Sequence, residues 1–586
     1  MMWWFRTEGN AQWSPCFYRG ERIGFYLRLL LMAMALETSV VWGQAVPPPL
    51  PLPLPPERPP LPEIQPPPPP PEKILPPVPL PPEGERERPL PAIRVFVRKI
   101  QVTGSTVLSE EELAKVTAPY LNRVLTSEDL EALRLALTLA YVNKGYATSG
   151  AILPDQTVTE GVITFHIIEG KLSGIEVVGN EWFRAGYIRD RLALGAKPPV
   201  NIAALQERLL LLQQDPRIER LNAELKAGVQ PGESVLKVRV AEASPFKGWL
   251  EFNNYQSPSV GAERGLVTVA HQNMTGNGDI LSFQYGKSDG VDPQIDTRYA
   301  VPINAYDTTL IVQYRKNDFQ VVEAPFTVLE IKSQSEIFGI TVRQPVYRTL
   351  NQEFALALTG ERLSNQTFLL GEPFSFSPGV RDGESIVSAV RFSQEWVHRA
   401  PNQVMAANSR FSFGVNALGA TINDATVPDS QFFVWLGQFQ FARRLDPWGV
   451  QLISRVDCQL ANDRLFPLEQ IAVGGRFSVR GYRENELVRD DGLIASLEVR
   501  LPVIRSALGA EIALLAPFVD FGRSWSRKTE NDSGNTLTSS GVGVIWNIIQ
   551  GSRLEMYWGH RWNSVPKPGN DLQDRGIHLQ FIVQVL

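Results

Sequence analysis

The sequence predicts an all-β transmembrane barrel of about 16 antiparallel strands, preceded by two α/β domains. The chain has 586 residues, and the part from Gly248 to Leu586 shows almost no helical periodicity. Short runs in that part alternate apolar and polar side chains, whereas residues 93–243 contain an internal repeat with helical spacing. The alternation, the length of the alternating part and the repeat together predict this order of domains.

Alternation with a period of two is typical of a strand that separates two environments. In the run ILSFQYGK, one face carries Leu281, Phe283 and Tyr285, and the closing run GIHLQFIVQVL alternates in the same way. A soluble β-sandwich alternates too, but residues 248–586 are many for one sandwich, and the polar faces are rich in Gln, Ser, Asn and charge. A spanning strand needs about 9–11 residues, so this length accommodates about 16 strands with their loops.

Composition argues against several classes of function. The net charge of −5 offers no basic field for nucleic acid. Cys16 and Cys458 are the two cysteines, and the five histidines are scattered without a metal-ligand spacing. Walker-type motifs are absent from the sequence, as is a GxGxxG loop between a strand and a helix. We therefore predict no catalytic residues, no metal site and no cofactor.

The first 45 residues resemble an export leader. Arg19 and Arg22 precede the apolar run IGFYLRLLLMAMAL, and Gly43 and Ala45 are small residues near a cleavage point. A membrane-anchoring or buried helix is the alternative, but the apolar run is short for a span. We predict a signal peptide region over residues 1–45.

Residues 46–92 are predicted to be a proline-rich linker. Of the 46 prolines in the chain, 23 fall within residues 46–91. Proline has no backbone N–H and fixes φ, which disfavours both helix and sheet, so an extended spacer is expected. A docking ligand for a proline-binding module is the alternative.

The repeat defines two units, residues 93–170 and 171–243. IQVTGST at 100–106 recurs as IEVVGNE at 175–181, and the same offset of 75 aligns helical stretches further on. Each unit is predicted as strand, helix, helix, strand, strand, with a capping box at Ser109 and Glu112 and an N-cap at Asn201. Such units are either structural spacers or, through an open sheet edge or a helix–strand groove, binders of an extended chain. Spacing alone leaves both interpretations open.

The stretch SVRGYRENELVRDDG, residues 478–492, places Arg480 beside a glycine within a strand-rich region. Considered alone, this pattern favours a solvated turn. The motifs around it, however, match a family over roughly residues 93–586. GYATSGAILPDQTVTEGVITFHIIEG (145–170) and IEVVGN resemble POTRA domains, NMTGNGDILSFQYG (273–286) resembles a first barrel hairpin, and VGGRFSVRGY (473–482) with FVDFG (518–522) resembles a loop-six motif and its partner strand.

The chain thus resembles the two-partner secretion transporters, the hemolysin secretion/activation family (ShlB/FhaC/HecB type) of the Omp85 superfamily. The resemblance implies that loop six folds into the barrel and that Arg480 pairs with Asp520 on the wall. The implied site residues are Val479, Arg480, Gly481 and Tyr482 in loop six, Phe518, Asp520 and Gly522 in the strand motif, and Gly145, Tyr146, Pro154, Gln156, Gly179 and Asn180 in the POTRA motifs.

The resemblance also implies a function: export of an unfolded, β-helical partner exoprotein across a bacterial outer membrane, with the POTRA domains in the periplasm. Outer-membrane lipid and the barrel assembly machinery would be further partners, and nucleic acid would not. An Omp85-type insertase that assembles outer-membrane proteins is the first alternative, and a surface binding protein without a pore is the second.

Overall fold

The computed structural model describes residues 74–75, 94–424, 427–445, 448–507, 509–527, 534–549, 551–563, 565 and 569–586. The predicted signal peptide region and, except for Ile74 and Leu75, the predicted linker lie outside these residues. Among the described residues, no helix is long and apolar enough to cross a membrane.

Two α/β domains begin the described chain. The strands of the first domain are β1 (Arg94–Val97), β2 (Lys99–Thr103), β3 (Arg123–Thr126), β4 (Gly150–Ile152) and β5 (Val162–Ile168), and those of the second are β6 (Lys171–Val178), β7 (Ile218–Ala227) and β8 (Glu233–Glu242). The helices are α1 (Glu110–Thr117), α2 (Ser127–Asn143), α3 (Ala185–Ala193) and α4 (Ile202–Gln213). The three-stranded sheets have the orders β2-β5-β4 and β6-β8-β7, and each buries one face under its helix pair.

The repeat has a direct structural counterpart. Gly104 and Gly179 both have positive φ (79° and 81°), and a Cβ on either would lie 2.6 Å from a backbone oxygen of a neighbouring strand. The predicted capping box at Ser109 and Glu112 and the Asn201 cap are confirmed. The first unit differs from the predicted element order because β1 and β3 form an additional two-stranded ribbon. Both strands have only four residues, too few for a periodic signal.

The rest of the described chain forms a closed antiparallel barrel, which confirms the predicted fold class. Its strands are β9 (Phe246–Asn253), β10 (Arg264–His271), β11 (Ile280–Ser288), β12 (Val291–Pro302), β13 (Thr309–Gln320), β14 (Lys332–Arg348), β15 (Gln352–Leu369), β17 (Glu384–Ala400), β18 (Gln403–Gly414), β19 (Phe433–Leu445), β20 (Val450–Ala461), β23 (Asp491–Arg505), β24 (Glu511–Trp525), β25 (Asn535–Trp546), β26 (Ser552–Arg561) and β27 (Ile577–Gln584). Within loops lie β16 (Glu372–Pro373), β21 (Ile471–Val473) and β22 (Leu487–Arg489). The last strand pairs with the first, for example Phe581 with Phe252, and this pairing leaves no open edge.

Alternation separates the two faces of the wall. Phe338, Ile340 and Val342 of β14 are exposed on the outside, as membrane lipid requires. Charged residues such as Arg391, Glu498 and Asp520 point inward and are at most 5% exposed, although they belong to strands of a barrel with a polar interior. Their burial shows that something fills this part of the lumen.

Candidate functional site

Residues 462–490, the sixth loop at the end of the barrel away from the α/β domains, fill that space. Val479 and Tyr482 are fully buried and Arg480 is 3% exposed, although all three lie in a loop. Their hydrogen-bond partners are inward-facing residues of the barrel wall and of the outer loops. The loop therefore folds back into the lumen, and its tip, which we define as residues 478–483, rests on the wall.

Arg480 is bound to two carboxylates. Its Nε and Nη2 atoms donate to Oδ2 and Oδ1 of Asp520, each at 2.8 Å, and its backbone N–H donates to the same carboxylate at 2.9 Å. Its Nη1 atom pairs with Glu498, and Nη2 also donates to Ser496 Oγ at 3.0 Å. The guanidinium lies 3.7 Å from the ring centroid of Phe518. A planar fork suits this bidentate, stacked geometry, which a lysine could not reproduce.

The glycine after Arg480 permits the close approach of the tip to the wall. Gly481 has φ +93°, and a Cβ there would lie 2.7 Å from the carbonyl oxygen of Gly559 on β26. Its N–H donates to His578 Nε2 at 3.1 Å, and Arg561 Nε donates to its carbonyl at 2.5 Å. Only a glycine accommodates both the backbone conformation and the contact.

The contact between the tip and the wall is completed by Val479, Tyr482 and Gly522. A Cβ on Gly522 would lie 2.6 Å from Val479 Cγ2, so the glycine of the strand motif leaves room for the valine. The hydroxyl of Tyr482 donates to the carbonyl oxygens of Thr538 and Asn563, at 2.9 and 3.1 Å. All seven predicted residues of the two barrel motifs thus lie in one buried contact region.

Arg483, which sequence reasoning missed, makes a second ion-pair group next to the tip. Its Nε and Nη2 atoms donate to Asp574 in the eighth outer loop, both at 2.7 Å, and Nη1 and Nη2 donate to Glu323 in the third, at 3.1 and 2.9 Å. The sequence signal that could have identified Arg483 is its position directly after the recognised motif.

The beginning of loop six has its own attachment on another part of the wall. We call residues 465–469 the stem. Glu469 accepts two hydrogen bonds from Arg391 on β17, at 2.6 and 3.0 Å, and Arg391 Nε donates to Glu361 on β15 at 2.7 Å. The apolar stem residues Leu465, Phe466 and Leu468 are buried in a cluster with residues of β15, β17 and β19. Loop six is therefore attached at two separate places inside the barrel.

The predicted POTRA residues lie in the α/β domains and are not brought together with Arg480. Gly145 has φ +91°, and its carbonyl accepts from Ile202 N at 2.9 Å, which joins the two domains. The side-chain amide of Gln156 hydrogen-bonds to both the N–H and the C=O of Thr164, each at 2.8 Å. The amide thus makes the two backbone hydrogen bonds that a residue of a neighbouring strand would make with β5.

The remaining POTRA residues have local contacts. Tyr146 packs edge-on against Tyr141, with ring centroids 6.2 Å apart, and the carbonyl of Pro154 accepts from Gln156 at 3.3 Å. Asn180 Nδ2 donates to the carbonyl of Phe183 at 2.8 Å and closes the turn after β6. These contacts are local to each domain.

The second α/β domain contacts the inner-end turns of the barrel through arginines that the sequence did not single out. Arg191 donates to Asp307 in the β12–β13 turn at 2.5 and 3.0 Å, and Arg217 donates to the carbonyl of Gly278 at 2.5 Å. Burial raises the pKa of Tyr187, which stacks under Arg191 at 3.6 Å, to about 12. The raised pKa reflects the burial of a neutral phenol, whose ring acts as a packing surface for Arg191.

In the portion of the chain that the structure describes, no group of three or more His, Cys, Asp or Glu side chains has an arrangement that could hold a metal ion. The site consists instead of arginine–carboxylate pairs and close glycine contacts. Such a site can hold a loop in place and can release it when the pairs are broken.

Comparison with known proteins identifies the family. The model of the haemolysin secretion/activation protein ShlB/FhaC/HecB family matches residues 232–545. The chain belongs to this family. A second model, POTRA domain, ShlB-type, matches residues 95–170, so the first α/β domain is a POTRA domain.

Curated relatives of this chain are named as transporters, several of them as outer-membrane transporters. The "Outer membrane transporter CdiB" of Dickeya dadantii is 24% identical over 462 residues, covering 76% of this chain and 79% of that protein. The "Hemolysin transporter protein ShlB" of Serratia marcescens is 23% identical over 459 residues, covering 75% and 78%. The chain is a secretion transporter of the outer membrane, with its POTRA domains in the periplasm.

Solved structures show the same fold. CdiB from Escherichia coli superposes with a TM-score of 0.63 at 19% identity and covers 86% of this chain and 93% of that one. BamA from Haemophilus ducreyi lacking POTRA domains 1–3 gives a TM-score of 0.52 at 13% identity, covering 84% and 99%. The short turns that contact the second α/β domain mark the periplasmic end of the barrel, and loop six starts from the opposite end.

Proposed function

We propose that this transporter exports one partner exoprotein, which the POTRA domains receive unfolded and the barrel passes to the cell surface. The observation that carries the proposal is loop six, held inside a closed barrel by buried ion pairs at two places. A barrel that served only as a rigid structure in the membrane would not need a charged loop folded through its lumen. A removable loop suits a conduit that stays narrow, although still passable for ions, until a chain enters.

The partner is proposed to be a large β-helical protein with an N-terminal secretion segment. An extended segment of this kind can add to a POTRA sheet edge through backbone hydrogen bonds, with pockets for alternate side chains. The sequence carries no nucleotide-binding motif. Folding of the partner outside the cell, which prevents its return, is therefore the proposed source of the driving free energy.

The domain boundaries and the further partners are also part of the proposal. Residues 1–45 are proposed as the signal peptide region, 46–92 as a linker, 93–170 and 171–243 as the two POTRA domains and 248–586 as the barrel. Membrane lipid and the barrel assembly machinery are proposed partners, and nucleic acid is not. We also propose that the chain has no enzymatic activity, in keeping with relatives that are named as transporters.

The test is secretion of the partner together with pore formation. We expect deletion of this gene to abolish surface appearance of one large secreted repeat protein, encoded beside it, and the purified chain to conduct ions in a planar bilayer. Broad loss of outer-membrane proteins after the deletion would favour the insertase. Absence of conductance would favour a binding protein without a pore.

A further inference from the structure

A short apolar segment of the linker lies in the core of the second POTRA domain. Leu75 is 5% exposed and belongs to the same buried cluster as Leu205 and Leu209 of α4, and Ile74 packs against that cluster. The segment comes from a stretch that is otherwise dominated by proline and precedes both domains in the chain. The core of this domain is therefore completed by a residue from outside it.

The polar contact at this position recognises a backbone group. The N–H of Leu75 donates to Gln206 Oε1 on α4 at 3.0 Å. The other half of the same amide, Gln206 Nε2, is buried and has no hydrogen-bond partner among the described residues. A side-chain amide can bond to a peptide N–H and a peptide C=O at once, and a buried donor without a partner is unfavourable. The linker uses one half of this pair and leaves the other unsatisfied.

One buried leucine and one hydrogen bond make a contact that can exchange. The segment is held mainly because it is tethered, and tethering gives it an effective concentration of the order of millimolar. A free chain that places an apolar side chain in the same pocket and also offers a carbonyl to Gln206 Nε2 would satisfy the whole amide. Such a chain would compete with the linker without any change in the domain.

We propose that the surface around Gln206 on α4 is a docking site for an extended apolar segment of the exported partner, and that Ile74 and Leu75 occupy it in the resting state. This inference rests on the proposed function, because it names a further contact, beside the sheet edge, on the domains that receive the unfolded partner. The linker then acts as an internal competitor: partner binding releases it, and its release reports that the transporter is loaded.

The first experiment measures exchange with a defined probe. A fluorescein-labelled peptide of residues 71–80, PEKILPPVPL, is titrated with the full-length transporter in detergent, and fluorescence anisotropy reports binding. Leu75→Ser should bind the peptide about tenfold more tightly than the wild type, because the site is no longer occupied by the tethered segment. Ile64→Ser, which changes another apolar linker residue, should match the wild type, and Gln206→Ala combined with Leu75→Ser should weaken binding again. Equal affinity of the wild type and Leu75→Ser would overturn the proposal.

The second experiment uses a milder substitution and the partner itself. In a background with Cys16→Ala and Cys458→Ala, the thiol introduced by Leu75→Cys should react slowly with a maleimide, and the secretion segment of the partner should accelerate the reaction at least several-fold. Ile64→Cys should react at one rate with and without the partner. If the thiol at position 75 is protected to the same degree with and without the partner, the segment is a fixed part of the domain. If the wild type secretes its partner while both experiments fail, this inference falls and the proposed function stands; if the wild type secretes nothing, the proposed function falls.

Discussion

Loop six is attached to the barrel at two places whose charges are arranged in opposite ways. At the tip, an arginine of the loop, Arg480, is bound by wall carboxylates of Asp520 and Glu498. At the stem, a carboxylate of the loop, Glu469, is bound by a wall arginine, Arg391, which also holds Glu361 of the wall. Arg480 of the tip makes two ion pairs with the wall and Glu469 of the stem makes one, and the two attachments also differ in what remains on the wall after the loop leaves.

Withdrawal of the tip separates Asp520 from Arg480, and among the described side chains only Ser496 still hydrogen-bonds to it. Withdrawal of the stem leaves Arg391 still paired with Glu361, at 2.7 Å. Removing one partner of a buried ion pair costs about 3–5 kcal/mol when the other charge stays buried and alone, and less when water reaches it. The stem therefore separates from the wall at a lower cost than the tip, and we expect the stem to be the part of loop six that moves when a chain passes.

The largest effect should come from Arg480→Ala. The substitution leaves Asp520 without its cation, so the tip should lose its position and partner secretion should fall by at least about tenfold, the equivalent of about 1.4 kcal/mol. Barrel insertion, followed by heat-modifiable migration in gels, should be unchanged, since the closed wall does not depend on the loop. Arg480→Lys keeps the charge but loses the fork, so it should secrete at an intermediate level.

A double-mutant cycle sharpens this prediction. Asp520→Ala should reduce secretion as much as Arg480→Ala, and the double mutant should be no worse than either, because the two side chains act through one interaction. Additive losses would mean that the two residues act separately, and normal secretion by both single mutants would remove the role of the pair.

Gly481→Ala should have the next largest effect. The added methyl would meet the Gly559 carbonyl and would disfavour the φ of +93° that the tip requires. We expect secretion to fall several-fold. Gly371→Ala is the matched control, because Gly371 also has positive φ (87°) but a Cβ there has no atom within 4 Å. An equal loss for the two variants would assign the effect to backbone strain alone and not to the wall contact.

Glu469→Gln should have the smallest effect on secretion. Arg391 keeps Glu361 as a partner, and a neutral glutamine can still accept a hydrogen bond, so the stem is loosened without leaving an isolated charge. We expect near-normal secretion together with a higher ion conductance of the purified chain in a planar bilayer. A loss of secretion as large as that of Arg480→Ala would contradict the difference between the two attachments.

The tip could be predicted from the sequence, whereas the stem could not. VRGY and FVDFG are motifs that a family resemblance assigns as a pair. Glu469 and Arg391 lie 78 residues apart in ordinary surroundings, and only the register of β17 decides that Arg391 faces the lumen. The ion pairs of Arg483 could not be predicted from the sequence either, because its partners Glu323 and Asp574 come from two other loops.

In the POTRA region, too, contacts between distant segments could not be predicted from the sequence. In α2, Leu130, Leu133, Leu137 and Tyr141 recur at helical spacing in the sequence, and all four are buried. Such spacing could not predict that Leu75 would complete the core of the second domain, because a leucine between prolines carries no periodic signal. Local patterns determine elements and caps, whereas contacts between distant segments follow only from how the elements pack.

The central claim is that the stem moves and the tip stays on the wall, and cysteine accessibility tests it most directly. Val479→Cys at the tip and Leu468→Cys at the stem introduce thiols at two buried positions, 0% and 2% exposed. With Cys16 and Cys458 replaced by alanine, cells are treated with a membrane-impermeant maleimide while the partner is or is not being exported. We predict that export makes the thiol at position 468 reactive and leaves the one at 479 protected. Labelling of position 479 as fast as position 468 during export would contradict the account.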